Sequence, residues 1–338
     1  MKNAAINEIL TEKGFLLADG ATGTNLFMRG LETGYPPELW NVERPDDIQG
    51  LHALFFDSGS DLVLTNSFGG NALRLKLHDA QDRVTELNLA AARLARKVAA
   101  TATDRQRRPL LVAGSMGPTG ELFEPMGALT HTSTRDIFAA QANALAEGGV
   151  DMLWIETMSS TEEIASALEA AKTTGLPVAA TMTFDTAARS MMGVLPQDFA
   201  VFGAANKADF LGANCGIGPA ELLHSISGMA QAHIDTPLIA KGNCGIPSYV
   251  DGAIHYHGTP ALMADYALFA RDMGVLIIGG CCGTSPDHVA AMSQALAQTP
   301  VRPFDEAAMQ QALGQPWANI PENPGAEGRR KSRRSRRK

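Results

Sequence analysis

Two adjacent cysteines, Cys281 and Cys282, follow a pair of glycines in the stretch V-L-I-I-G-G-C-C-G-T, residues 275–284. Neighbouring thiols rarely bond to each other without straining the peptide between them, but two thiolates on a glycine-flanked turn can both reach one soft metal ion. Most free cysteines are small buried hydrophobes. These two stand where an apolar run ends rather than inside one. A thiolate ligand set needs a third donor, and Cys215, in G-A-N-C-G-I-G-P, is placed for it, with Cys244, in G-N-C, as the competitor. Three thiolates select zinc over harder ions, and three protein ligands leave a fourth position open, the mark of a catalytic rather than a structural site. A substrate thiol bound there would be held as its thiolate at neutral pH, ready for nucleophilic attack.

Other groups offer poorer metal sites. His255 and His257 flank Tyr256 in a polar stretch, and nothing nearby completes a ligand set around them. The D-G-A-T-G-T stretch at 19–24 has neither the lysine of a phosphate loop nor the full dinucleotide glycine spacing, which argues against a nucleotide. Its backbone amides could instead hold a carboxylate while Glu156 pairs with an ammonium group, a combination that suits an amino acid.

These groups must be positioned by the elements between them. Eight short apolar runs recur, at 15–18, 61–64, 110–113, 151–155, 177–183, 209–213, 237–240 and 275–278. Amphipathic stretches with apolar residues at three- and four-residue spacing lie between them, for example 82–100, 134–147, 161–173 and 260–273. Ser160 ahead of Glu163, and Thr259 ahead of Pro260, are helix-start signals. Strand and helix alternating eight times predict an α/β fold, a single closed parallel (β/α)8 TIM barrel, with a doubly wound open sheet as the alternative. A barrel demands that functional groups sit just past the carboxyl ends of the strands. Asp19 and Gly20, Phe68, Glu156, Cys215, Asn243 and the Cys281–Cys282 pair all fall there.

A chain of 338 residues with 45% hydrophobic content can bury a core of that size as one domain. The barrel is expected over 1–304, followed over 305–338 by an extension with a short helical patch at 305–313, a P-E-N-P-G linker at 321–325 and a basic tail. That tail holds eight Lys or Arg within 329–338, so the rest of the chain carries a formal charge of -16 against -8 for the whole. Such a body argues against nucleic-acid binding by the barrel. The tail is expected to be disordered and solvated, though it could touch RNA, an anionic surface or an acidic partner. Four cysteines suit a reducing compartment, and no signal peptide or membrane span is read from the amino terminus, so the cytoplasm is expected. An oligomer is compatible with all of this.

Taken together, D-G-A-T-G-T at Asp19, T-N-S-F-G-G at Thr65, G-P-T-G-E-L at Gly117, G-A-N-C at Gly212 and G-G-C-C-G-T at Gly279 closely resemble the homocysteine S-methyltransferase family, over roughly residues 14–297. The resemblance implies a (β/α)8 barrel in which zinc activates homocysteine for methylation to methionine. It implies Cys215, Cys281 and Cys282 as the zinc ligands, with Asp19, Gly20 and Glu156 facing the amino-acid end of homocysteine. Asn243 matches an asparagine that can take the fourth zinc position in the methionine-synthase branch, and Cys244 then becomes a neighbour.

No cobalamin- or folate-binding module is read in these residues, so the methyl group is expected on a small onium compound or on a separate protein. Trp40, in P-E-L-W-N, offers the best aromatic face for a quaternary ammonium, although a tryptophan there is more often core packing. That stretch is similar to bacterial betaine-homocysteine methyltransferases, which makes glycine betaine the expected donor, dimethylglycine the product, and Trp40 and Phe68 the donor contacts. The tyrosines of animal betaine enzymes are replaced by Gly69 and Thr157. T-N-S-F-G-G and M-T-F-D at Met182 look closer to the homocysteine half of cobalamin-dependent methionine synthase, so a separate cobalamin-binding protein is the second reading. A zinc-buffering or regulatory barrel is the non-enzymatic one.

Overall fold

The computed structural model describes residues 3–245, 247–250 and 253–317, with the main chain alone at 247–250 and 253–255. The linker at 321–325 and the basic run at 329–338 lie outside the described residues. Eight strands form one parallel sheet: β1 (Leu16–Leu17), β2 (Leu62–Leu64), β3 (Leu111–Met116), β4 (Met152–Met158), β5 (Val178–Met182), β6 (Phe210–Cys215), β7 (Leu238–Gly242) and β8 (Ile277–Gly280). Their order is β1-β8-β7-β6-β5-β4-β3-β2, and a bridge between Ala18 and Leu62 joins the two ends into a barrel. Helices alternate with the strands outside it, as the repeated apolar runs predict.

Side-chain parity explains the core and, through it, the site. Successive residues of a strand face opposite sides. Leu16, Leu62, Leu111, Met152, Trp154, Phe210, Ile239 and Ile277 therefore meet in one buried cluster inside the barrel. Their neighbours Leu17, Val63, Val112, Leu153, Leu211, Ala240 and Ile278 pack outward against the helices. Trp154, fully buried, is the largest interior side chain, and its Nε1 donates to Thr181 Oγ1 at 3.2 Å. The helix Ala4–Lys13 closes the interior from the other end, laying Ile6 and Ile9 into the same cluster. That helix was not anticipated from a stretch that reads as polar. Only two of its ten residues are buried, too few to stand out as a stripe.

The helices follow the amphipathic stretches closely: Val84–Gln106, His131–Glu147, Thr161–Lys172 and Pro260–Asp272. Val84–Gln106 buries Ala91, Ala92, Ala95, Ala99 and Ala102, small residues that let it lie close against its neighbours. Ser160 accepts from Glu163 N and Thr259 from Leu262 N, as the start signals require. The Glu163 carboxylate reaches Thr119 instead of returning to the cap, tying the loop after β3 to this helix. The helix Glu306–Leu313 buries Met309 in the main core. None of the helices among the described residues is long and apolar enough to cross a membrane.

Two expectations need correction. The strands run further than the apolar runs: β3 extends to Met116, β4 to Met158 and β6 to Cys215. In β6 the parallel ladder continues through Asn214 and Cys215, which keep their partners on β7, whereas β4 carries Glu156 and Thr157 through a shift of register against β5. Glu156, Asn214 and Cys215 are thus strand residues, not loop residues. In addition, the stretch around His255 and His257 is not a plain loop, for Pro247–Val250 and Ala253–Tyr256 form an antiparallel hairpin between β7 and β8.

Candidate functional site

The register of β6, β7 and β8 brings the cysteines together. Cys215 pairs with Gly242, and Gly242 with Gly280, so three strand ends lie in one layer. Cys281 N then donates to Gly242 O at 2.6 Å, and Cys244 N to Cys282 O at 2.9 Å. Cys215 adopts the left-handed conformation, φ 62°, and Gly283 does so at φ 80°. A left-handed non-glycine residue carries strain that the surrounding ladder has to hold, and such residues concentrate at functional sites. As a result, the Sγ atoms of Cys215, Cys281 and Cys282 lie within 4.8 Å of one another. Cys244 is left outside, fully buried with its thiol on Gly258 O at 3.2 Å.

The trio fits a soft cation. The thiols hydrogen-bond among themselves: Cys282 accepts from Cys215 and Cys281 and is held well below the usual thiol range. Cys215 is driven far up by its bonds to Cys281 and Cys282 and then by burial. Three thiolates packed this closely need a compensating cation. Asn243 adds a second sign, since its Nδ2 donates to Gly216 O at 2.5 Å while its buried Oδ1 has no hydrogen-bond partner. Such an orphan costs about 1–3 kcal/mol, a cost that a metal bond would remove. Tyr256, at the end of the hairpin, lies against Gly283, where an added Cβ would meet its ring at 2.3 Å.

Beside the sulfurs lies a buried charged cluster. Glu156 sits at the inward register of β4, two residues beyond Trp154, and burial raises its carboxyl to about 7 against the pull of Lys241. Ser115 Oγ donates to it. Asp19 is also raised by burial, opposed by Lys241, whose Nζ lies 3.2 Å from Oδ1; its Oδ2 accepts from Leu64 N at 2.8 Å. Burial works against the charge of Lys241, but Asp19, Cys281 and Glu156 outweigh it and raise its pKa. Asn214 accepts from Thr157 N at 2.8 Å and from Thr181 Oγ1 at 2.7 Å, and so fixes the end of β4, where Thr157 is left-handed at φ 59°. Gly20 permits a close approach: a Cβ there would sit 2.4 Å from Thr284 O, so the first motif packs directly on the last.

Sequence reading missed Lys241, Asn214 and Tyr256. The signal for Lys241 was available, as a charge standing at the inward parity of a strand, two residues after Ile239. For Tyr256 there was none, since a hairpin had not been anticipated. Of the expected donor contacts, Phe68 is 39% exposed on the rim, its carbonyl accepting from Gly117 N at 2.9 Å. Trp40 differs from expectation. Only 5% of it is exposed, it belongs to the main core, and the guanidinium of Arg44 lies 4.0 Å from its ring centroid. The chain's own cation already takes the place offered to a donor. His257 is exposed, and the side chain of His255 lies outside the described residues.

Comparison with known proteins bears on the same residues. The family model for homocysteine S-methyltransferase matches residues 16–296. The methionine synthase of Mycobacterium leprae is 30% identical over 306 residues, covering 84% of this chain and 24% of that protein. The methionine synthase of Mycobacterium tuberculosis is 29% identical over 337 residues, covering 93% and 27%. This chain thus spans about a quarter of the length of those relatives. Among solved structures, the homocysteine methyltransferase MmuM from Escherichia coli superposes in its oxidized form with a TM-score of 0.71 at 25% identity, covering 86% of this chain and 99% of that one. Its metallated form gives 0.70 at 24% identity, which speaks for the fold.

Proposed function

The chain belongs to the homocysteine S-methyltransferase family, and from that premise we propose that it transfers a methyl group to the sulfur of homocysteine to give methionine, with zinc held by Cys215, Cys281 and Cys282. The observation that carries this reading is the convergence of three sulfurs within 4.8 Å at the mouth of the barrel, beside a buried carboxyl group. Asn243 Oδ1 is the candidate for the fourth position while substrate is absent. Bound in this donor set, zinc would hold the homocysteine thiol as its thiolate at neutral pH.

The rest of the work falls to the chain. Glu156, once ionised, takes the ammonium of homocysteine, and its bond to Ser115 fixes its direction. Asp19, tied to Lys241 and Leu64, stands behind it as part of the charged background, and Gly20 lets the first loop close on Thr284. The walls of the barrel mouth exclude water and align sulfur with methyl carbon, which is most of what a direct displacement needs. The sulfur lone pair forms the new S–C bond as the old bond to the methyl carbon breaks, and its electron pair leaves with the donor. From glycine betaine this gives dimethylglycine.

Betaine is the first donor to test. The second reading, a methyl-corrinoid carried by a protein or module outside these residues, is favoured by the covered face of Trp40 and by the likeness to methionine synthases. Four cysteines in 338 residues are too few for a disulfide scaffold, and a cytoplasmic setting remains the proposal. The deciding experiment supplies zinc-loaded protein with homocysteine and either glycine betaine or methylcobalamin, and measures methionine. Turnover with betaine establishes a self-sufficient enzyme. Turnover with methylcobalamin alone establishes one part of a methionine synthase. Zinc binding with no methionine from either would leave the zinc-buffering reading.

A further inference from the structure

Lys241 is only 3% exposed inside the barrel mouth, in register with Asn214 of β6 and Gly279 of β8. Its Nζ donates to Gly20 O at 3.1 Å and to Gly280 O at 2.5 Å, and faces Asp19 Oδ1 at 3.2 Å. Of the three protons of the ammonium, two thus go to main-chain carbonyls, while Asp19 Oδ1 faces it as an ion pair without a hydrogen bond. Gly20 belongs to the loop after β1, whereas Gly280 is the residue that delivers Cys281. Gly280 N donates to Asp19 O at 3.0 Å and Cys281 N to Gly242 O at 2.6 Å, and further along the turn Gly283 N donates to Thr24 Oγ1 at 3.3 Å and Asn25 Nδ2 to Thr284 O at 3.0 Å.

We propose that Lys241 is a positioning residue: its ammonium clasps the Asp19–Gly20 loop to Gly280, fixing the amino-acid end of the substrate pocket against the Cys281–Cys282 turn. The proposal rests on the homocysteine reading for what the pocket holds, but the clasp itself is a matter of geometry. A buried ammonium that merely neutralised Asp19 would need one contact. Here two of the three go to carbonyl groups on different strand ends, and close packing gives the joint little tolerance, for a Cβ on Gly280 would lie 2.3 Å from the Thr284 side chain. Without the clasp, the Asp19–Gly20 loop and the turn that carries the sulfurs lose this link. A displacement of about 1 Å suffices to cost roughly a hundredfold in rate.

Removing Lys241 alone strands a buried carboxylate, so the test is made in the Asp19→Asn background, where the ion pair is already gone. Asp19→Asn and Asp19→Asn/Lys241→Met proteins are loaded with Co(II), their sulfur-to-cobalt absorption bands recorded, and their zinc forms assayed for kcat and for KM of homocysteine. The clasp predicts that adding Lys241→Met shifts the cobalt bands and lowers kcat about a hundredfold, while thermal stability stays level. Identical bands and identical kcat in the two proteins would overturn it and reduce Lys241 to a counter-ion of Asp19. If the unmodified protein makes no methionine from either donor, yet the bands respond to Lys241→Met, the methyl-transfer reading fails and the clasp stands.

Discussion

At the scale of single residues, the site is a contest between burial and charge. Glu156 is the clearest case. Burial raises its carboxyl to about 7, so it is half-protonated where the cell is neutral, and it can take an ammonium only once ionised. The sign follows directly: as pH rises from 6 to 8, KM for homocysteine should fall. Glu156→Gln should flatten that dependence and raise KM at pH 8 by tenfold or more, the loss of a buried charge-assisted hydrogen bond of about 1.5–3 kcal/mol. Steady-state assays across that range, with the fold checked by circular dichroism, decide the point; an unchanged KM would assign the ammonium to another group. The sulfurs behave differently, because they act as a set. Cys282→Ala removes one of the three converging sulfurs, so it should abolish both zinc retention and methyl transfer. Retained zinc, read by metal analysis after dialysis, together with full activity would exclude this site.

At the scale of elements, a helix of the outer layer carries a pH dependence of stability. His52, on Pro45–Asp57, is 1% exposed, and neither ring nitrogen has a partner. Burial lowers its pKa from 6.5 to about 4. Between those values the unfolded chain binds the proton and the folded chain refuses it, so stability is full above pH 6.5 and is lost as pH falls toward 4. The contribution reaches roughly 3 kcal/mol, at about 1.36 kcal/mol for each pH unit that separates the two values. Urea unfolding at pH 7.5 and pH 5 should show about 2 kcal/mol of this loss in the native sequence, since pH 5 lies about 1.5 units below 6.5, and His52→Leu should remove that part of it. Equal losses in the two proteins would place the pH sensitivity elsewhere. The strand ends carry the other lesson of this scale. β6 continues through Asn214 and Cys215 because its ladder with β7 is satisfied whatever the polarity of the side chains, whereas β4 passes Glu156 at a shift of register against β5.

At the scale of the whole molecule, scaffold and site are separable. The interior cluster from Leu16 to Ile277 and the outer core of strands and helices involve none of the three ligand sulfurs. The metal-free protein should therefore keep its helical circular dichroism spectrum. Zinc bound only by the folded state adds stability by mass action, about 4 kcal/mol at a thousandfold excess over Kd. Chelation should accordingly lower the melting temperature by several degrees without unfolding the barrel at 25 °C. Collapse of the spectrum on chelation would make the metal a folding element instead.

The sequence alone determined the number and order of the barrel strands, most of the helices between them, and the Cys281–Cys282 pair, because apolar periodicity and a glycine-flanked cysteine turn are local signals that parallel pairing then obeys; the choice of Cys215 over Cys244 came from the family resemblance, and the structure places its sulfur with the pair. The amino-terminal helix was not legible, since its role lies in closing a cavity made by residues far along the chain. Nor was the fate of Trp40, whose type suits a donor cage but whose ring packs in the core under Arg44. Lys241 shows the division most sharply. Its parity in β7 could have been read, yet its partners, Asp19, Gly20 and Gly280, lie up to 222 positions away in sequence. Only closure of the barrel brings them within reach, and a strand's own residues do not encode which distant carbonyls will face it.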